Sequence, residues 1–497
     1  MNRIAFKFVV PLAGCLLLTA DASAQVPAIA PDRTIAASDA ASFDVFGYGL
    51  AVDGASMLVG SRGCDTPQAN SGAIYAYRRL SSGWSQVQKL VFPAASRDDQ
   101  IGTAVALSGA VGVAGAPGRG SSGAAFALRF DGGTWFSQVE LVDASAGASA
   151  GFGSAVGCSP TTIAVGAPNS AEGVAAGAGR VRIFDRPNQV WVSGQVLTAP
   201  FPDPGDNYGS ALALSGDLLA VAAPGDDDFV INGGAVYLYR RVGGLFVLAS
   251  KIVAPTPASE DWFGRSVSLS GSKLIVGAYR ADLAGRDAGA AFVFDVTSAG
   301  VATYSRVLLP PANAVNAEFG NSVSTDGAAI IVGAPGYAPG ASIQGASWIY
   351  LDSDASADAM LTSTPGSSMA LTGTRVAIGS DIAVAGAPGA TVGILTSAGS
   401  VLLFDRLRDC NLNGTPDAIE IALGGLSDTN QDGTPDQCQC LPDFTADGFV
   451  SGGDLGIMLG LWGSSVPANF RYVDLNGDGS INGADLGLLL SAWGACR

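Results

Sequence analysis

Residues 152–168, FGSAVGCSPTTIAVGAP, hold the pattern that decides the fold. The stretch begins with an aromatic residue and a glycine, and it ends sixteen residues after the aromatic residue with a Gly-Ala-Pro triplet. The opening pair recurs at spacings of 51 to 56 residues: Phe46-Gly47, Ile101-Gly102, Phe152-Gly153, Tyr208-Gly209, Phe263-Gly264, Phe319-Gly320 and, in degenerate form, Thr372-Gly373. A pattern that returns at a nearly fixed period indicates a fold built from repeated units.

The closing triplet accompanies every copy of the opening pair at the same offset. Its intact copies are Gly115-Ala116-Pro117, Gly166-Ala167-Pro168, Ala222-Ala223-Pro224, Gly333-Ala334-Pro335 and Gly386-Ala387-Pro388. The first and fifth copies are degenerate, with Gly60-Ser61-Arg62 and Gly277-Ala278-Tyr279 in the same places. Seven copies at one offset exclude a chance match, so the sequence predicts seven units.

Each unit alternates apolar and polar residues in the way that is typical of short strands. In the fifth unit the strand-like stretches are 266–269, 274–277, 291–294 and 306–308, with turn residues between them. Four short strands in a unit of this length are typical of a propeller blade. We therefore predict an all-β seven-bladed β-propeller over residues 25–407. The aromatic residue of each opening pair should pack between blades, and its glycine should allow close backbone approach.

The two ends of the array predict how the ring closes. An aliphatic residue of the outer strand stands eleven residues before each opening pair: Ile35, Leu90, Leu141, Leu197, Ile252, Leu308 and Leu361. The seventh unit runs out after residues 401–404 and has no fourth strand of its own. We therefore expect residues 34–37 to supply that strand, which would protect the edges of the sheets in a closed ring.

The seven units resemble FG-GAP repeats, the family that builds the propeller of integrin α-chains and of many bacterial surface and secreted proteins. The resemblance covers about residues 30–407 and implies a propeller that serves as a platform for ligand binding or adhesion. In integrin-type members some blades carry a calcium loop before the Gly-Ala-Pro strand. The corresponding stretches here, such as 215–217 and 270–272, are short and poor in carboxylates. We therefore expect no calcium site on the propeller.

Composition excludes several kinds of function. The net charge is −17, with only 26 Lys and Arg residues, which argues against a nucleic-acid partner because such binding needs clustered cations. The chain contains no His, which excludes Ser-His-Asp and Cys-His catalysis and His-ligated zinc. Carboxylate, Tyr, Lys and Arg chemistry remains available.

The N-terminus has the features of a secretory signal peptide at residues 1–24. Arg3 and Lys7 precede an apolar stretch at residues 8–18, and residues 22–24 form a small-residue cleavage site. A competing interpretation takes Cys15 as a lipidated anchor. We expect a secreted, extracellular or surface-attached protein, and we expect no membrane span because no other stretch is long and apolar enough.

Six cysteines remain after the predicted cleavage. Cys64 and Cys158 lie in different repeats, and we expect both to be buried lone thiols. The other four lie within the last ninety residues, where an exported protein would use them as disulfides. We expect Cys440 to pair with Cys496, and Cys410 to pair with Cys438.

After residue 408 the sequence becomes rich in Asp, Asn and Gly, which marks a domain boundary. Ca²⁺ prefers six to eight oxygen ligands, which a loop can supply from positions 1, 3, 5, 9 and 12 with glycine at position 6. One such loop places Asp474, Asn476, Asp478, Gly479, Asn482 and Asp485 at positions 1, 3, 5, 6, 9 and 12. A second places Asp443, Thr445, Asp447, Gly448, Ser451 and Asp454 at the same positions.

Each loop leads into a short apolar helix. Leu455, Met458, Leu459 and Trp462 in the first unit correspond to Leu486, Leu489, Leu490 and Trp493 in the second. Their i, i+3, i+4, i+7 spacing predicts one buried face on each helix. The duplicated loop and helix resemble a type I dockerin over residues 441–497. The resemblance implies an EF-hand-like calcium module and a cohesin-like protein as its partner.

Residues 408–440 contain two further acidic loops, which resemble thrombospondin type 3 repeats. Their candidate calcium ligands are Asp409, Asn411, Asn413, Asp417 and Glu420, then Asp428, Asn430, Asp432 and Asp436. Calcium would turn this linker into a rigid spacer. A flexible acidic linker is the alternative.

Some propeller residues are candidates for other sites. They are the acidic loop Asp226-Asp227-Asp228, the loop with Asp282, Arg286 and Asp287, and the tryptophans Trp135, Trp191 and Trp262. The acidic residues could collect a cation or face water, and the tryptophans could stack on sugars or pack internally. We favour the solvent-facing role for the acidic residues and the packing role for Trp135 and Trp191, which stand at matching places before an outer strand, and we assign no catalytic residue.

Taken together, these features predict a non-enzymatic binding protein that is secreted or attached to a surface. Its propeller would bind a polysaccharide or a surface protein, and its C-terminal module would dock in a calcium-dependent way. The first alternative is a dockerin-bearing enzyme that degrades polysaccharides, a glycoside hydrolase or a lyase. A glycosidase would need two facing carboxylates, and the sequence marks out no such pair. The second alternative is a structural component of the cell envelope.

Overall fold

The computed structural model describes residues 28–29, 31–405, 420–421, 425–427 and 442–495, with gaps at 81–82, 93, 312–313, 340–342, 352–356, 358, 364–368, 380–381, 446–448, 464–472 and 477. The predicted signal peptide, the four C-terminal cysteines and most of the predicted linker lie outside the described residues. Residues 28–29 and 31–405 build a propeller, and residues 442–495 form two short loop-and-helix units.

The first four blades each contain four strands. Blade 1 consists of β3 Phe46–Asp53, β4 Ser56–Ser61, β5 Ala73–Leu80 and β6 Gly83–Leu90, and blade 2 of β7 Val105–Ser108, β8 Val111–Ala116, β9 Ala124–Phe130 and β10 Trp135–Leu141. Blade 3 consists of β11 Ala155–Cys158, β12 Thr162–Ala167, β13 Arg180–Asp185 and β14 Val192–Leu197, with a 3₁₀ turn at Pro187–Gln189. Blade 4 consists of β15 Leu212–Ser215, β16 Leu218–Ala223, β17 Ala235–Val242 and β18 Leu245–Ile252.

The last three blades include the two strands from the N-terminus, β1 Ala28–Ile29 and β2 Arg33–Ile35. Blade 5 consists of β19 Ser266–Ser270, β20 Lys273–Ala278, β21 Ala290–Val296 and β22 Ala302–Leu308. Blade 6 consists of β23 Ser322–Thr325, β24 Ala329–Ala334, β25 Ala346–Leu351, β26 Ala359–Thr362 and β1, and blade 7 of β27 Arg375–Ile378, β28 Ile382–Ala387, β29 Ser400–Asp405 and β2.

The predicted seven-bladed propeller is confirmed. Apart from β1, the strands of each blade pair antiparallel with their neighbours, and the first strand of each unit lies innermost. The seven inner strands contact one another in a ring, which includes a contact between β27 of blade 7 and β3 of blade 1. The second strand is the most deeply buried, for example all six residues of β12, because it has neighbours on both edges and on both faces.

The predicted closure of the ring is also confirmed. Strand β2 pairs antiparallel with β29, with Thr34 opposite Leu402 and Ile35 opposite Val401. The sequence analysis did not predict β1, which adds a fifth strand to blade 6 in parallel with β26. The N-terminal segment therefore contacts two blades, since β1 joins blade 6 and β2 completes blade 7.

Close backbone approach between blades explains the repeated glycines. A Cβ built on Gly166 of blade 3 would lie 1.9 Å from the carbonyl oxygen of Gly209 in blade 4, and the triplet glycines of blades 1, 2, 5, 6 and 7 face the next blade in the same way. The aromatic residues of the opening pairs are fully buried, as predicted, and Phe263 lies edge-on to Phe292 with 5.5 Å between ring centres. Apolar clusters combine strands of adjacent blades and form the core.

Both cysteines within the propeller are buried and free, as predicted. Cys64 belongs to the core at the closure of the ring and Cys158 to the core between blades 2 and 3. Burial raises the pKa of the Cys158 thiol well above its usual range. Cys158 therefore acts as a small apolar side chain.

The C-terminal units consist of β30 Phe449–Val450, α1 Gly452–Gly460, α2 Gly483–Ser491 and β31 Gly494–Ala495. Strand β30 pairs antiparallel with β31, so that the start of the first unit meets the end of the second. Val450, Met458, Val473, Ile481 and Leu489 form a small shared core. Among the helices in the described part of the chain, none has the length and apolar character needed to cross a membrane.

Candidate functional site

The candidate metal site at residues 474–485 is a tight turn followed by the start of α2. The N–H groups of Asp478 and Gly479 donate to the two carboxylate oxygens of Asp474, at 3.2 and 2.8 Å. Gly479, at loop position 6, has φ +86°, a conformation that favours glycine. The amides of Asn476 and Asn482 both donate to Oδ2 of Asp478, at 2.9 and 3.3 Å. The side chains at loop positions 3, 5 and 9 therefore lie in mutual contact.

The carboxylate at loop position 12 occupies the third position of the helix that follows each loop. Asp485 is fully buried and accepts hydrogen bonds from the N–H groups of Asn482, at 2.8 Å, and Asn476, at 3.3 Å. The side chain of Asn482 in turn accepts from the N–H of Ala484 at 2.8 Å. These reciprocal bonds form a capping box, which satisfies N–H groups at the start of α2 and ties the loop to the helix.

The first loop repeats this arrangement. Asp454 is fully buried and accepts from the N–H groups of Ser451, at 2.8 Å, and Thr445, at 2.9 Å. The hydroxyl of Thr445 contacts Asp454 at 3.1 Å and Asp443 at 3.3 Å. Burial on its own would raise the pKa of Asp454, but the hydrogen bonds from Ser451 and Thr445 outweigh it and lower the pKa. The carboxylate is therefore ionised at neutral pH.

Electrostatics keep the second loop charged as well. The amide of Asn476 and the N–H of Ser480 donate to the Asp478 carboxylate and lower its pKa. Every side chain at a ligand position carries an oxygen atom that can bind a metal ion, and oxygen ligands suit a hard cation such as calcium. Within the described parts of the chain, no three Asp, Glu or Cys side chains form a ready-made metal cluster. In the second loop, both oxygens of Asp474 accept backbone N–H groups instead.

The described residues cover only part of the predicted ligand set. Asp447 and Gly448 of the first loop lie outside them, and of the nine candidate ligands in the linker only Glu420 is described. Calcium binding at these positions stays a prediction. The described members of the two C-terminal loops stand immediately before α1 and α2, as the sequence analysis predicts.

The predicted buried face of the two helices is only partly correct. Met458 and Leu489 are fully buried, and their partners Leu455 and Leu486 pack against the same core. Four other members of the predicted face are exposed instead, by 53% at Leu459, 45% at Trp462, 50% at Leu490 and 50% at Trp493. The two tryptophans lie beyond the ends of α1 and α2, at Gly460 and Ser491, and so do not complete the predicted helical face. We call these four exposed side chains the Leu-Trp patch.

The acidic loop of blade 4 is an ion-pair site within the protein. Asp226 is 4% exposed and lies 2.7 Å from the Lys251 ammonium, which also contacts Asp228. The Tyr237 hydroxyl donates to Asp226 at 2.8 Å. A lysine of the same blade therefore occupies the position that a bound cation would take. In blade 5, Asp282 accepts the N–H of Asp287 at 2.7 Å and shapes the turn.

Two of the candidate tryptophans, Trp135 and Trp191, pack against other residues of the propeller. Trp135 is 1% exposed and packs against Phe130 with 5.3 Å between ring centres. Trp191 packs partly against the core of blades 2 and 3, and its indole N–H donates to Gln138 at 3.2 Å. Trp262 donates to Glu260 of its own turn at 3.1 Å. The packing role favoured from the sequence for Trp135 and Trp191 agrees with these contacts.

The sequence analysis missed a cavity where the inner strands begin, which we call the channel-mouth cavity. Its volume is about 170 Å³. The third residue after each opening pair forms an aliphatic ring in its wall: Leu50, Val105, Val156, Leu212, Val267, Val323 and Val376. The second residue after each pair also lines it, and these residues are Gly49, Ala104, Ala155, Ala211, Ser266, Ser322 and Arg375. Arg375 is the one large residue in this series of small residues, and this departure from the repeat could have pointed to the cavity from the sequence.

Comparison with known proteins supports the repeats and the propeller. The FG-GAP repeat matches at residues 32–77, 191–239 and 246–294. The chain therefore contains stretches that match the FG-GAP repeat, and these lie within a seven-bladed β-propeller. No curated protein matches the chain.

Solved structures show a weak likeness. One is a protein from Bacteroides uniformis provisionally named a 6-phosphogluconolactonase, which is 14% identical with a TM-score of 0.42 over 61% of this chain and 80% of that one. A protein from Bacteroides fragilis with the same provisional name is 13% identical with a TM-score of 0.40 over the same shares. A likeness at this level says nothing about the activity of this chain.

Proposed function

We propose that the protein is an exported, non-enzymatic binding protein. Its propeller is the ligand platform, and residues 441–497 form a calcium-dependent docking module that resembles a dockerin. The observation that carries this proposal is the duplicated capping box, in which a buried Asp at loop position 12 ties an all-oxygen loop to a helix that presents exposed Leu and Trp residues.

In the proposed site, calcium would be held by Asp474, Asn476, Asp478 and Asp485 in the second loop. Bound calcium would supply positive charge that the loop lacks. On binding, the Asp474 carboxylate would exchange its hydrogen bonds from the N–H groups of Asp478 and Gly479 for contacts with the ion. The first loop would act in the same way, with the hydroxyl of Thr445 as the weaker ligand. Because metal binding would order these loops, calcium would also stabilise the fold of the module.

The Leu-Trp patch supports the docking part of the proposal. Its two halves occupy matching positions in the two units, and their exposed large apolar side chains are available for contact with a partner. A cohesin-like protein is the partner that we propose. Residues 1–24 would export the chain, and the linker at 408–440 would space the module from the propeller.

Calorimetric titration of the full chain with calcium tests the metal sites. We expect saturable binding, and we expect the Asp443→Ala/Asp474→Ala variant to bind two fewer ions because each substitution removes the first ligand of one loop. Asp217→Ala/Asp227→Ala is the matched control, since it removes two exposed propeller carboxylates. An unchanged stoichiometry in the loop variant would contradict the proposed sites.

The docking partner needs a separate test. Purified cohesin domains would be titrated against the full chain with calcium and with a chelator. We expect binding only with calcium, and we expect Trp462→Ala/Trp493→Ala to weaken it at least tenfold. If no cohesin domain binds while the calcium titration succeeds, the cohesin-like partner is wrong and the calcium module stands.

A further inference from the structure

The channel-mouth cavity carries positive charge in a strongly acidic protein. Arg265 and Arg375 both line it. Each departs from the repeat, because Arg265 stands where the third and fourth units have Ser154 and Ser210, and Arg375 stands where three units have alanine. Arg62, beside them, occupies the end of a triplet that is proline in five units.

These arginines come together although they lie far apart in the sequence. The guanidinium carbons of Arg62 and Arg375 lie 3.7 and 5.7 Å from the centre of the same Tyr48 ring. Arg265 donates to the Oδ1 of Asn321 at 3.2 Å and lies 5.3 Å from the Tyr279 ring. Burial lowers the pKa of Arg375, Tyr48 opposes this effect, and the nearby Arg265 and Arg62 lower it further.

No carboxylate in the described part of the chain forms a direct ion pair with these three arginines. Among the described residues, no Asp or Glu oxygen lies within 4.0 Å of the side-chain nitrogens of Arg62, Arg265 or Arg375. Glu318 is an acid near Arg265, and burial raises its pKa, although Arg265 and Arg280 oppose that effect. Like charges held together in a partly buried cavity repel one another, so an anion that enters the cavity relieves the repulsion.

A second observation is an unsatisfied hydroxyl group in the wall of the cavity. Ser210 lines the same cavity, and its buried Oγ has no hydrogen-bond partner among the described residues. The corresponding hydroxyl of the third unit is satisfied, since Ser154 also lines the cavity and donates to the carbonyl oxygen of Gly151 at 2.7 Å. Buried hydroxyls are normally hydrogen-bonded, so Ser210 has capacity for a ligand.

We infer that the channel-mouth cavity binds the carboxylate of a hydroxylated acid such as a sugar acid, either free or at the end of a chain. Arg265 and Arg375 hold the carboxylate, because the planar guanidinium fork matches its two oxygens. Arg62 and Tyr48 hold Arg375 in place, and Ser210 contacts a ligand hydroxyl. The volume of about 170 Å³ is several times the ~30 Å³ of a water molecule, so it admits a small group. This inference rests on the proposal that the propeller is a ligand platform.

The test is calorimetric titration of the full chain with D-galacturonate, and with D-galactose, which lacks the carboxylate. We expect galacturonate to bind at least tenfold more tightly than galactose. Titration with a galacturonate tetramer then shows whether the ligand is a free acid or the end of a polysaccharide chain. Tighter binding of the tetramer indicates a chain end, and tighter binding of the monomer indicates a free acid. Equal affinity for galacturonate and galactose, or sulfate that binds as well as galacturonate, would overturn the inference.

Variants that carry the residues of other units at these positions distinguish a loss of ligand binding from a loss of folding. Arg265→Ser/Arg375→Ala introduces residues that other units carry at these positions, so we expect an unchanged melting temperature and at least a tenfold loss of galacturonate affinity. Arg97→Ser/Arg286→Ser removes the same charge at two exposed positions and should bind like the wild type. The single Arg265→Ser variant, at an exposed side chain, should lose part of the affinity. Wild-type affinity in the double variant refutes the inference, and the calcium titration is independent of this result.

Discussion

Replacing Gly166 with alanine should destabilise the propeller strongly, because this glycine lies at the contact between blades 3 and 4. The added Cβ would lie 1.9 Å from the Gly209 carbonyl oxygen, whereas real Cβ contacts essentially never fall below 3.0 Å. The neighbouring backbone must therefore move by about 1 Å. Strain of this kind costs about 3 kcal/mol, which would lower the melting temperature by on the order of 5 °C.

The same substitution at Gly157 of the same blade is the control. A Cβ there would lie 3.7 Å from its nearest neighbour, an ordinary contact, and the backbone is outside the left-handed region. The first, second, fourth and seventh units carry alanine at this position. We expect Gly157→Ala to be neutral or to stabilise by up to ~1 kcal/mol. Urea denaturation followed by tryptophan fluorescence compares the two variants. Equal urea midpoints for Gly166→Ala and Gly157→Ala would refute the claim that close backbone approach between blades requires the triplet glycines.

Three further predictions concern closure, pH and the buried thiols. Ile35→Ala should cost about 2–4 kcal/mol by urea denaturation, because Ile35 is 7% exposed in the closing strand, whereas exposed Thr34→Ala should cost little. Burial raises the pKa of Asp206 to about 6, so the folded state binds this proton more tightly and the free energy of unfolding falls as pH rises from about 4 to 6. Asp206→Asn should flatten that dependence by on the order of 2 kcal/mol, and a wild-type pH profile in the variant would contradict the assignment. Cys64 and Cys158 should resist iodoacetamide at pH 8 until the propeller unfolds, and mass spectrometry would detect rapid native labelling if this is wrong.

Much of the fold could be predicted because the chemistry of each blade is local and repeats seven times. A period-two pattern, an aromatic wedge and two glycines specify a blade, and the missing fourth strand of the last unit identifies β2. Strand β1 could not be predicted, since two residues carry no repeat pattern and their partner lies more than three hundred residues away.

The sites were less predictable than the fold. The spacing of the calcium loops is local, so the sequence could place Asp454 and Asp485 before their helices. It could not show that α1 and α2 end before Trp462 and Trp493, so that the tryptophans lie outside the helices. The arginines of the channel-mouth cavity come from blades 1, 5 and 7, and only the closed ring brings them together.

Hydrogen–deuterium exchange on the full chain, with calcium and with a chelator, tests most directly whether the C-terminal loops are calcium sites. We predict that calcium slows exchange at residues 442–463 and 473–495, because the loops become ordered around the ion, while the strands of the propeller exchange as before. Unchanged exchange in both C-terminal loops at saturating calcium would contradict the calcium-dependent docking module.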